Sequence, residues 1–313
     1  MTSPELFQRH AGNPILTADD WPYPVNAVFN PAAAEVDGTT VVIARVEDAS
    51  GISHLSVARS ANGIDGWTVD PEPLLAAADG VESEQWGFED ARVVFVPEFA
   101  RWAITCTAYG PEGPAVYLAF TSDFTTVDRR GIIRRPDDKN AALLPRRIDG
   151  KWILLHRPKT DYGAARGGIL LSRSPDLANW GTPEQVLQPR DGAWWDSLRI
   201  GLGPPPVRTE HGWLLIYHGV KETVAGCIYR VGLALIDLDD PTRLLCRLPQ
   251  WVLSPLAPYE RVGDIPNVVF PCGYVHDEAS GEIRLYYGAA DTSICVATAR
   301  LDDLLAAVLA APV

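Results

Sequence analysis

The sequence predicts an all-β fold, a five-bladed β-propeller with a short C-terminal helix, on three observations. Short β-rich runs bounded by Gly, Asp and Pro occur throughout the chain, whereas long helical periodicity is nearly absent. A unit of strand, tight polar turn, aromatic or β-branched strand, loop and third strand recurs, and such repetition is typical of repeat architectures. The helix is predicted at Leu301–Leu309, where two acids precede good helix formers.

Five copies of the unit can be aligned, and they begin at Phe29, Phe88, Lys139, Arg199 and Asn267. The polar turns VDGT, RIDGK, RTEHGW and HDEASGE fall at matching places, and similar outer segments (ARSANGIDGW, FTSDFTTVD and SRSPDLANW) close several copies. The spacing of roughly 50 to 65 residues is near that of kelch-like propeller repeats. Residues 1–313 are therefore predicted to form a single propeller domain, with a β-sandwich as the alternative.

Composition indicates a globular chain and disfavours several classes of partner. With 313 residues, 47% of them hydrophobic, the chain can bury a large core. Its net charge of -13 disfavours nucleic acid and anionic membrane, because both attract basic surfaces. No apolar run approaches the roughly 18 residues of a membrane helix, and MTSPELFQRH lacks the apolar core of a secretory signal. We therefore expect a cytoplasmic protein.

The cysteine and histidine spacing gives no sign of a metal site. The five cysteines are scattered without close pairs, so we expect them to be reduced: Cys106, Cys227, Cys246, Cys272 and Cys295. The histidines are far apart in sequence and show no ligand spacing. Neither a metal nor an organic cofactor is predicted.

Polar residues recur on the first two strands of every copy. In a propeller the first strand of each blade lines the central channel, so these residues are predicted to converge on one funnel. They are Asn30, Arg45, Glu47, Asp48, Glu89, Asp90, Arg92, Lys139, Asn140, His156, Arg157, Arg199, His218, Tyr229, Asn267 and Asp291. Burying charges without a ligand or partner is costly, so the pattern predicts a ligand site, with mutual salt bridging as the alternative.

The chain resembles glycoside hydrolase family 130, the β-mannoside phosphorylases and related β-mannosidases. The segments that carry the resemblance span nearly the whole chain in order: FNPAA, ARVED, GFEDARV, KNAALLPRRIDGKWILLHRP, RIGLGPPPVRTEHGWLLIYHGV, YRVGLALIDLDDPTRLL, NVVFPCG and YYGAADTSICVATA. The resemblance implies a five-bladed propeller that reversibly cleaves a β-mannosidic bond with inorganic phosphate, inverting the anomeric centre to give α-mannose 1-phosphate. It leaves open the linkage, the acceptor sugar and whether the protein is a homo-oligomer.

The resemblance also implies residue roles. Asp90 in GFEDARV matches the family's proton donor, which is thought to act through the 3-hydroxyl of the sugar. Phosphate contacts are implied for Arg45, Arg157, Arg199, His218 and Tyr229. Substrate contacts are implied for Asn30, Asp48, Glu89, Lys139 and Asp291. Arg199 stands where the family often has Lys, which keeps the charge but changes its geometry.

The chemistry of glycoside cleavage sets further expectations. A general acid must hold a proton, so the pKa of Asp90 is expected to be raised by burial and by Glu89. Trp86, Trp194 and Trp195 are candidates for stacking on the acceptor sugar, with rim packing between blades as the alternative.

Two other functions stay open at this point. One is an inverting β-mannosidase, which would need a carboxylate base, with Glu47, Glu89 or Asp196 as candidates. The cationic residues that match the family's phosphate site argue against a β-mannosidase, because positive charges do not help a carboxylate to activate water. The other is a sugar-binding propeller without turnover.

Overall fold

The five predicted copies form five separate antiparallel sheets. The computed structural model describes residues 5–159 and 167–311. The chain begins with a short strand, β1 (Gln8–Arg9). Blade one contains β2 (Ala27–Val36), β3 (Thr39–Glu47), β4 (Ser53–Ser60) and β5 (Thr68–Val69). Blade two contains β6 (Phe88–Val96), β7 (Arg101–Gly110), β8 (Gly113–Thr121) and β9 (Asp128–Arg134).

The remaining blades follow in chain order. Blade three contains β10 (Asp138–Leu143), β11 (Trp152–Pro158), β12 (Ile169–Ser174) and β13 (Glu184–Leu187). Blade four contains β14 (Arg199–Leu202), β15 (Val207–Arg208), β16 (Trp213–Thr223), β17 (Gly226–Ile236) and β18 (Leu244–Arg247). Blade five contains β19 (Val269–Asp277), β20 (Glu282–Ala289) and β21 (Ser293–Arg300). The strand order confirms the predicted propeller.

Two α-helices and three short 3-10 helices (Ala18–Asp20, Glu82–Glu84 and Pro97–Phe99) accompany the sheets in the described residues. The predicted C-terminal helix is confirmed as α2 (Leu301–Leu309), and its buried Leu304 and Val308 pack on the core between blades four and five. A second helix, α1 (Pro258–Arg261), precedes blade five and was not predicted. None of the helices in the described ranges is both long and apolar enough to cross a membrane.

The apolar core lies between neighbouring blades. Each blade presents one face of its strands to the next, and the buried residues form clusters that join successive sheets. Trp152 is the first residue of β11 in blade three and Trp213 is the first residue of β16 in blade four, and both are fully buried. Burial of such large side chains stabilises blade contacts along the whole strand length.

The ring is closed by the first strand of the chain, which supplies the outer strand of the last blade. β1 pairs antiparallel with β21, with Arg9 opposite Ala297. The Arg9 guanidinium donates from Nε to Glu260 Oε1 at 2.7 Å. Glu260 is fully buried and also accepts bonds from the backbone N–H groups of Leu256 and Ala257 and from the hydroxyl of Tyr287. One buried carboxylate thereby connects β1 to blade five and to the segment that precedes it.

Removing Arg9 tests this closure. We expect Arg9→Ala to lower the free energy of unfolding by about 3 kcal/mol, because it leaves the Glu260 carboxylate buried without its cation. The matched control is Arg101→Ala, which breaks the half-exposed pair with Asp128 and is expected to cost less than about 1 kcal/mol. Denaturant unfolding of both variants measures the difference, and equal losses would contradict a special role for the closure.

Candidate active site

A polar cavity lies where the inner strands of the five blades begin. Its volume is about 270 Å³. It is lined by Asn30, Arg45, Asp90, Lys139, Asn140, Arg157, Arg199, His218, Tyr229, Ile265, Val268, Phe270 and Asp291. Every blade contributes, as the repeat pattern predicted. Of the site residues implied by the resemblance, all but Asp48 and Glu89 line this cavity.

A shared backbone irregularity turns three of these side chains toward the cavity. Asn30, Asp90 and Asn140 have φ values of 48°, 51° and 54°, and each lies where its inner strand shifts register against the second strand. A bulge with one residue in the left-handed region re-aims the side chain at that position, and Asn and Asp tolerate this conformation best. The motifs FNPA, FEDA and KNAA therefore mark one structural position.

Asp90 is a buried carboxylate surrounded by donors and cations. Its Oδ1 accepts a hydrogen bond from Asn30 Nδ2 at 2.9 Å and lies 3.5 Å from Nη1 of Arg45. Burial raises the pKa of Asp90, but the nearby charges of Arg45 and Lys139 outweigh burial, so the pKa is lowered. The expectation of a raised pKa was wrong because the sequence did not show how many cations converge on this carboxylate.

Glu89 borders the cavity by holding two of its cations. Its Oε1 lies 3.3 Å from Nη2 of Arg45, and its Oε2 accepts a hydrogen bond from Lys139 Nζ at 3.2 Å. Glu47 also lies 3.3 Å from Nη2 of Arg45. Arg45 is therefore held among the carboxylates on the Asp90 side of the site.

Asp48 is occupied by its own turn. It follows β3, and its Oδ1 accepts hydrogen bonds from the backbone N–H groups of Ser50 and Ile52 and from the Ser50 hydroxyl. The structure therefore does not bring Asp48 into the cavity.

Asp291 is a second cavity carboxyl with the opposite electrostatic character. It follows β20 in a left-handed turn with φ 53°. Burial, followed by the negative charge of Asp90, raises its pKa from 3.8 to about 7. One carboxyl of the site is therefore ionised at neutral pH while the other readily holds a proton.

Blades three and four form a cationic wall. Arg199 donates from Nη2 to the Tyr229 hydroxyl at 2.6 Å. Within residues 5–159 and 167–311, Arg157 Nε is buried without a hydrogen-bond partner, and neither Arg157 nor Arg199 pairs with a carboxylate. Burial and the like charge of Arg199 lower the pKa of Arg157 to about 10, which still leaves it protonated at neutral pH.

His218 completes this wall as a neutral group. It is packed against Phe270 with ring centroids 4.5 Å apart, and its Nε2 lies 3.5 Å from Asn140 Nδ2. Burial, together with Arg157, lowers its pKa well below the ordinary 6.5. Its Nδ1 is buried and has no hydrogen-bond partner in the described part of the chain. Unpaired buried donors and cations on one wall are suited to an anionic ligand.

Other residues predicted to face the funnel lie elsewhere. His156 is fully buried, where its Nδ1 contacts Asp138 at 2.6 Å and its Nε2 contacts Ser172 at 2.9 Å. Asn267 accepts a bond from Tyr229 N through its carbonyl but does not line the cavity.

The three carboxylates predicted as candidate bases for a water-using enzyme form ion pairs with arginines and do not line the cavity. Glu47 and Glu89 contact Arg45, and Asp196 is buried beneath blade four. The Asp196 Oδ2 atom accepts bonds from Arg190 at 2.9 Å and Arg247 at 2.7 Å. None of the three carboxylates lines the cavity.

The three candidate tryptophans do not line the cavity either. Trp195 is buried and stacks on Tyr217, with ring centroids 5.8 Å apart. Trp86 and Trp194 are exposed at the surface, with exposed fractions of 43% and 45%.

Sequence reasoning missed part of the wall. Asn140 was correctly predicted to face the funnel but received no role, although KNAA carries the same bulge signal as FNPA and FEDA. The apolar residues Ile265, Val268 and Phe270 come from the loop and strand start of blade five, and their apolar character gave no functional signal. Among the residues that the structure describes, no group of three or more His, Cys, Asp or Glu is placed to hold a metal ion.

At the centre of five blades, a buried acid shares one cavity with a cationic wall that no carboxylate of the described residues neutralises, and this combination is typical of a group-transfer site. A family model described as beta-1,4-mannooligosaccharide phosphorylase matches residues 9–309. The chain belongs to this family, glycoside hydrolase family 130.

Named relatives and a solved structure are similar over most of their length. The beta-1,4-mannooligosaccharide phosphorylase of Ruminococcus albus is 35% identical over 308 residues, covering 96% of this chain and 90% of that protein. The beta-1,2-mannobiose phosphorylase of Listeria innocua is 35% identical over 264 residues, covering 84% and 71%. A structure of the beta-1,2-mannobiose phosphorylase from Listeria innocua with beta-1,2-mannobiose has a TM-score of 0.87 at 28% identity, covering 96% of this chain and 99% of that one.

The raised pKa of Asp291 predicts a pH-dependent stability. The folded protein binds this proton more tightly than the unfolded chain, so the stability that Asp291 contributes falls as pH rises from 3.8 to about 7. Asp291→Asn cannot ionise. We therefore expect its Tm, relative to that of the unsubstituted protein, to increase from about pH 5 to pH 8.

Thermal unfolding across this range measures the difference. Asp239→Asn, at a carboxylate with 91% of its side chain exposed, controls for the change in charge. A difference in Tm that is independent of pH for Asp291→Asn would contradict the assignment.

Proposed function

We propose that this protein cleaves a β-mannosidic bond with inorganic phosphate, giving α-mannose 1-phosphate with inversion, and catalyses the reverse synthesis. The observation that carries the proposal is the division of one cavity into two poles. Asp90 and Asp291 lie on the blade one, two and five side. Arg157 and Arg199, which pair with no carboxylate of the described residues, lie on the blade three and four side. Arg157 is buried and Arg199 is partly buried, and holding two neighbouring cations out of water is costly unless an anion binds there.

The two poles fit the two demands of the reaction. Cleavage passes through an oxocarbenium-like state, so the leaving oxygen needs a proton while a nucleophile attacks the anomeric carbon from the opposite face. Asp90 supplies the proton, and its O–H electron pair stays on the carboxylate. Phosphate held by Arg157, Arg199, His218 and Tyr229 donates an oxygen electron pair to the anomeric carbon, and the bonding pair leaves with the protonated acceptor. The relay of the proton through the 3-hydroxyl stays a prediction of the family resemblance.

The lowered pKa of Asp90 is compatible with this role once phosphate is bound. Phosphate places negative charge beside Arg157 and Arg199, and this charge offsets part of the positive field that stabilises the Asp90 carboxylate. Its pKa therefore rises when the co-substrate binds. Neutral His218 can donate a hydrogen bond to phosphate without adding to the positive charge that opposes protonation of Asp90.

The geometry favours phosphorolysis over hydrolysis. A water-using inverting enzyme needs a second carboxylate, opposite the acid, to activate water. Glu47, Glu89 and Asp196 pair with arginines and do not line the cavity, and Asp291 lies on the same side of the cavity as Asp90. Phosphate is already an anion, so it needs no base, and the protein must only bind it and orient it toward the anomeric carbon. No metal or organic cofactor is needed in this scheme. A cytoplasmic location and a homo-oligomeric state stay predictions.

Phosphate dependence tests the proposal directly. We expect release of α-mannose 1-phosphate from β-1,4- and β-1,2-linked mannobiose panels only when phosphate is present, and phosphate release when α-mannose 1-phosphate is mixed with an acceptor sugar. The relatives named above carry both linkages in their names, so both belong in the panel. Cleavage at the same rate in phosphate-free buffer would make the protein a hydrolase.

Arg157→Met tests the anion wall. Removing one buried cation from the phosphate site is expected to raise the KM for phosphate about 100-fold, because a charged hydrogen bond of about 3 kcal/mol is lost. Arg208→Met, which changes an exposed arginine at the end of β15, is the control. Steady-state kinetics at varied phosphate concentration measure the effect, and an unchanged KM for phosphate would place the anion elsewhere.

Asp90→Asn tests the acid. The amide keeps an oxygen that accepts the Asn30 bond but cannot supply the proton, so kcat is expected to fall by about 100-fold or more with little change in Tm. Initial rates on mannobiose and thermal unfolding check the two effects. Activity equal to that of the unsubstituted protein would remove Asp90 from the acid role.

A further inference from the structure

Arg92 is a buried cation below the cavity that no predicted role explains. Only 1% of the residue is exposed. Its three guanidinium nitrogens donate to three carbonyl oxygens: Nη1 to Asp90 at 2.6 Å, Nε to Gly203 at 3.0 Å and Nη2 to Leu202 at 3.1 Å. Within the two described ranges, no carboxylate lies within ion-pair distance of Arg92. Backbone carbonyls therefore accept all the hydrogen bonds that the described structure gives this cation.

The three carbonyls belong to blades that are not neighbours in the ring. Asp90 lies on β6 of blade two, whereas Leu202 is the last residue of β14 in blade four and Gly203 follows it. Arg92 therefore spans the propeller axis. Its guanidinium also lies 5.7 Å from the ring centroid of Phe270, the residue that packs against His218.

The shortest of these bonds fixes the backbone of the acid itself. Asp90 has φ 51°, a conformation that a non-glycine residue keeps only when its surroundings enforce it. A charge-assisted bond to the Asp90 carbonyl supplies such a constraint, because the planar guanidinium is held at its other two nitrogens by blade four. Relaxation of this turn would re-aim the Asp90 carboxyl, which bulge geometry directs into the cavity.

We propose that Arg92 is a positioning residue for proton donation, which holds Asp90 in the conformation that presents its carboxyl to the leaving oxygen. This inference rests on the proposed function. Proton transfer requires hydrogen-bond distance between acid and leaving group, so a displaced backbone at Asp90 would cost rate even with the carboxyl intact. Arg92 itself does not line the cavity.

The leaving group separates positioning of the acid from a purely structural role. A sugar leaving group needs protonation as the bond breaks, whereas 4-nitrophenolate leaves readily without it. Loss of acid positioning must therefore slow cleavage of mannobiose far more than cleavage of 4-nitrophenyl β-mannoside. General damage to the fold slows both substrates equally. The ratio of the two rates in one preparation does not depend on how much of the protein is folded.

The experiment compares Arg92→Lys and Arg92→Gln with the unsubstituted protein at saturating phosphate. Lysine keeps the charge but cannot reach all three carbonyls, and glutamine removes the charge. We expect kcat on mannobiose to fall about 100-fold in both variants, and the rate on 4-nitrophenyl β-mannoside to fall less than about 5-fold. Asp90→Asn is expected to show the same discrimination between substrates.

Arg59→Lys is the matched control. Arg59 also joins two blades through a carbonyl, donating from Nη2 to Phe124 O at 2.9 Å, and it pairs with Asp70 away from the cavity. Its two rates should fall by the same factor or remain unchanged.

Equal losses on both substrates in the Arg92 variants, or no loss on mannobiose, would overturn the proposal. The outcome is distinguishable from failure of the proposed function. If the protein cleaved mannosides without phosphate, phosphorolysis would be wrong, but the ratio would still test Arg92, because hydrolysis needs the same protonation of the leaving group.

Discussion

Closure of the ring by β1 is the constraint on which the rest of the structure depends. Each blade buries its faces only against its neighbours, so a chain of five blades leaves two unpaired ends until the first strand joins the last sheet. The buried contact of Arg9 with Glu260 fixes this junction. The same Glu260 accepts bonds from the backbone of the α1 segment, which leads into the cavity residues Ile265 and Val268. Stability of the ring and shape of the site are thereby coupled.

The five inner strands bring charges of both signs into one buried cavity, and the site separates them. Cations and carboxylates from every blade meet in one small volume, where burial makes each unpaired charge costly. Arg45 and Lys139 pair with carboxylates, whereas Arg157 and Arg199 pair with none in the part of the chain that the structure describes. This separation gives one side of the cavity to a proton donor and the other to an anion. Phosphorolysis needs both in one place, on opposite faces of a sugar.

A repeated β-bulge directs polar side chains from three blades into the cavity. The bulge that re-aims Asn30, Asp90 and Asn140 occurs at one position in three blades, so the fold supplies three inward-facing polar side chains by a single device. Blade four has no such register shift. There Gly201 leaves the space that His218 and Asn140 fill, since a Cβ would lie 2.5 Å from the His218 ring. Arg92 then ties this strand to the bulge at Asp90.

The sequence by itself determined the number of blades, the terminal helix and most of the cavity lining, because alternation and turn residues are local signals and the repeat places equivalent residues together. The tertiary structure decided what depends on several blades at once. It placed Asp48 in its own turn, put Arg45 among carboxylates, lowered the pKa of Asp90 and raised that of Asp291. Each of these results from distances between blades, which no single segment of sequence encodes.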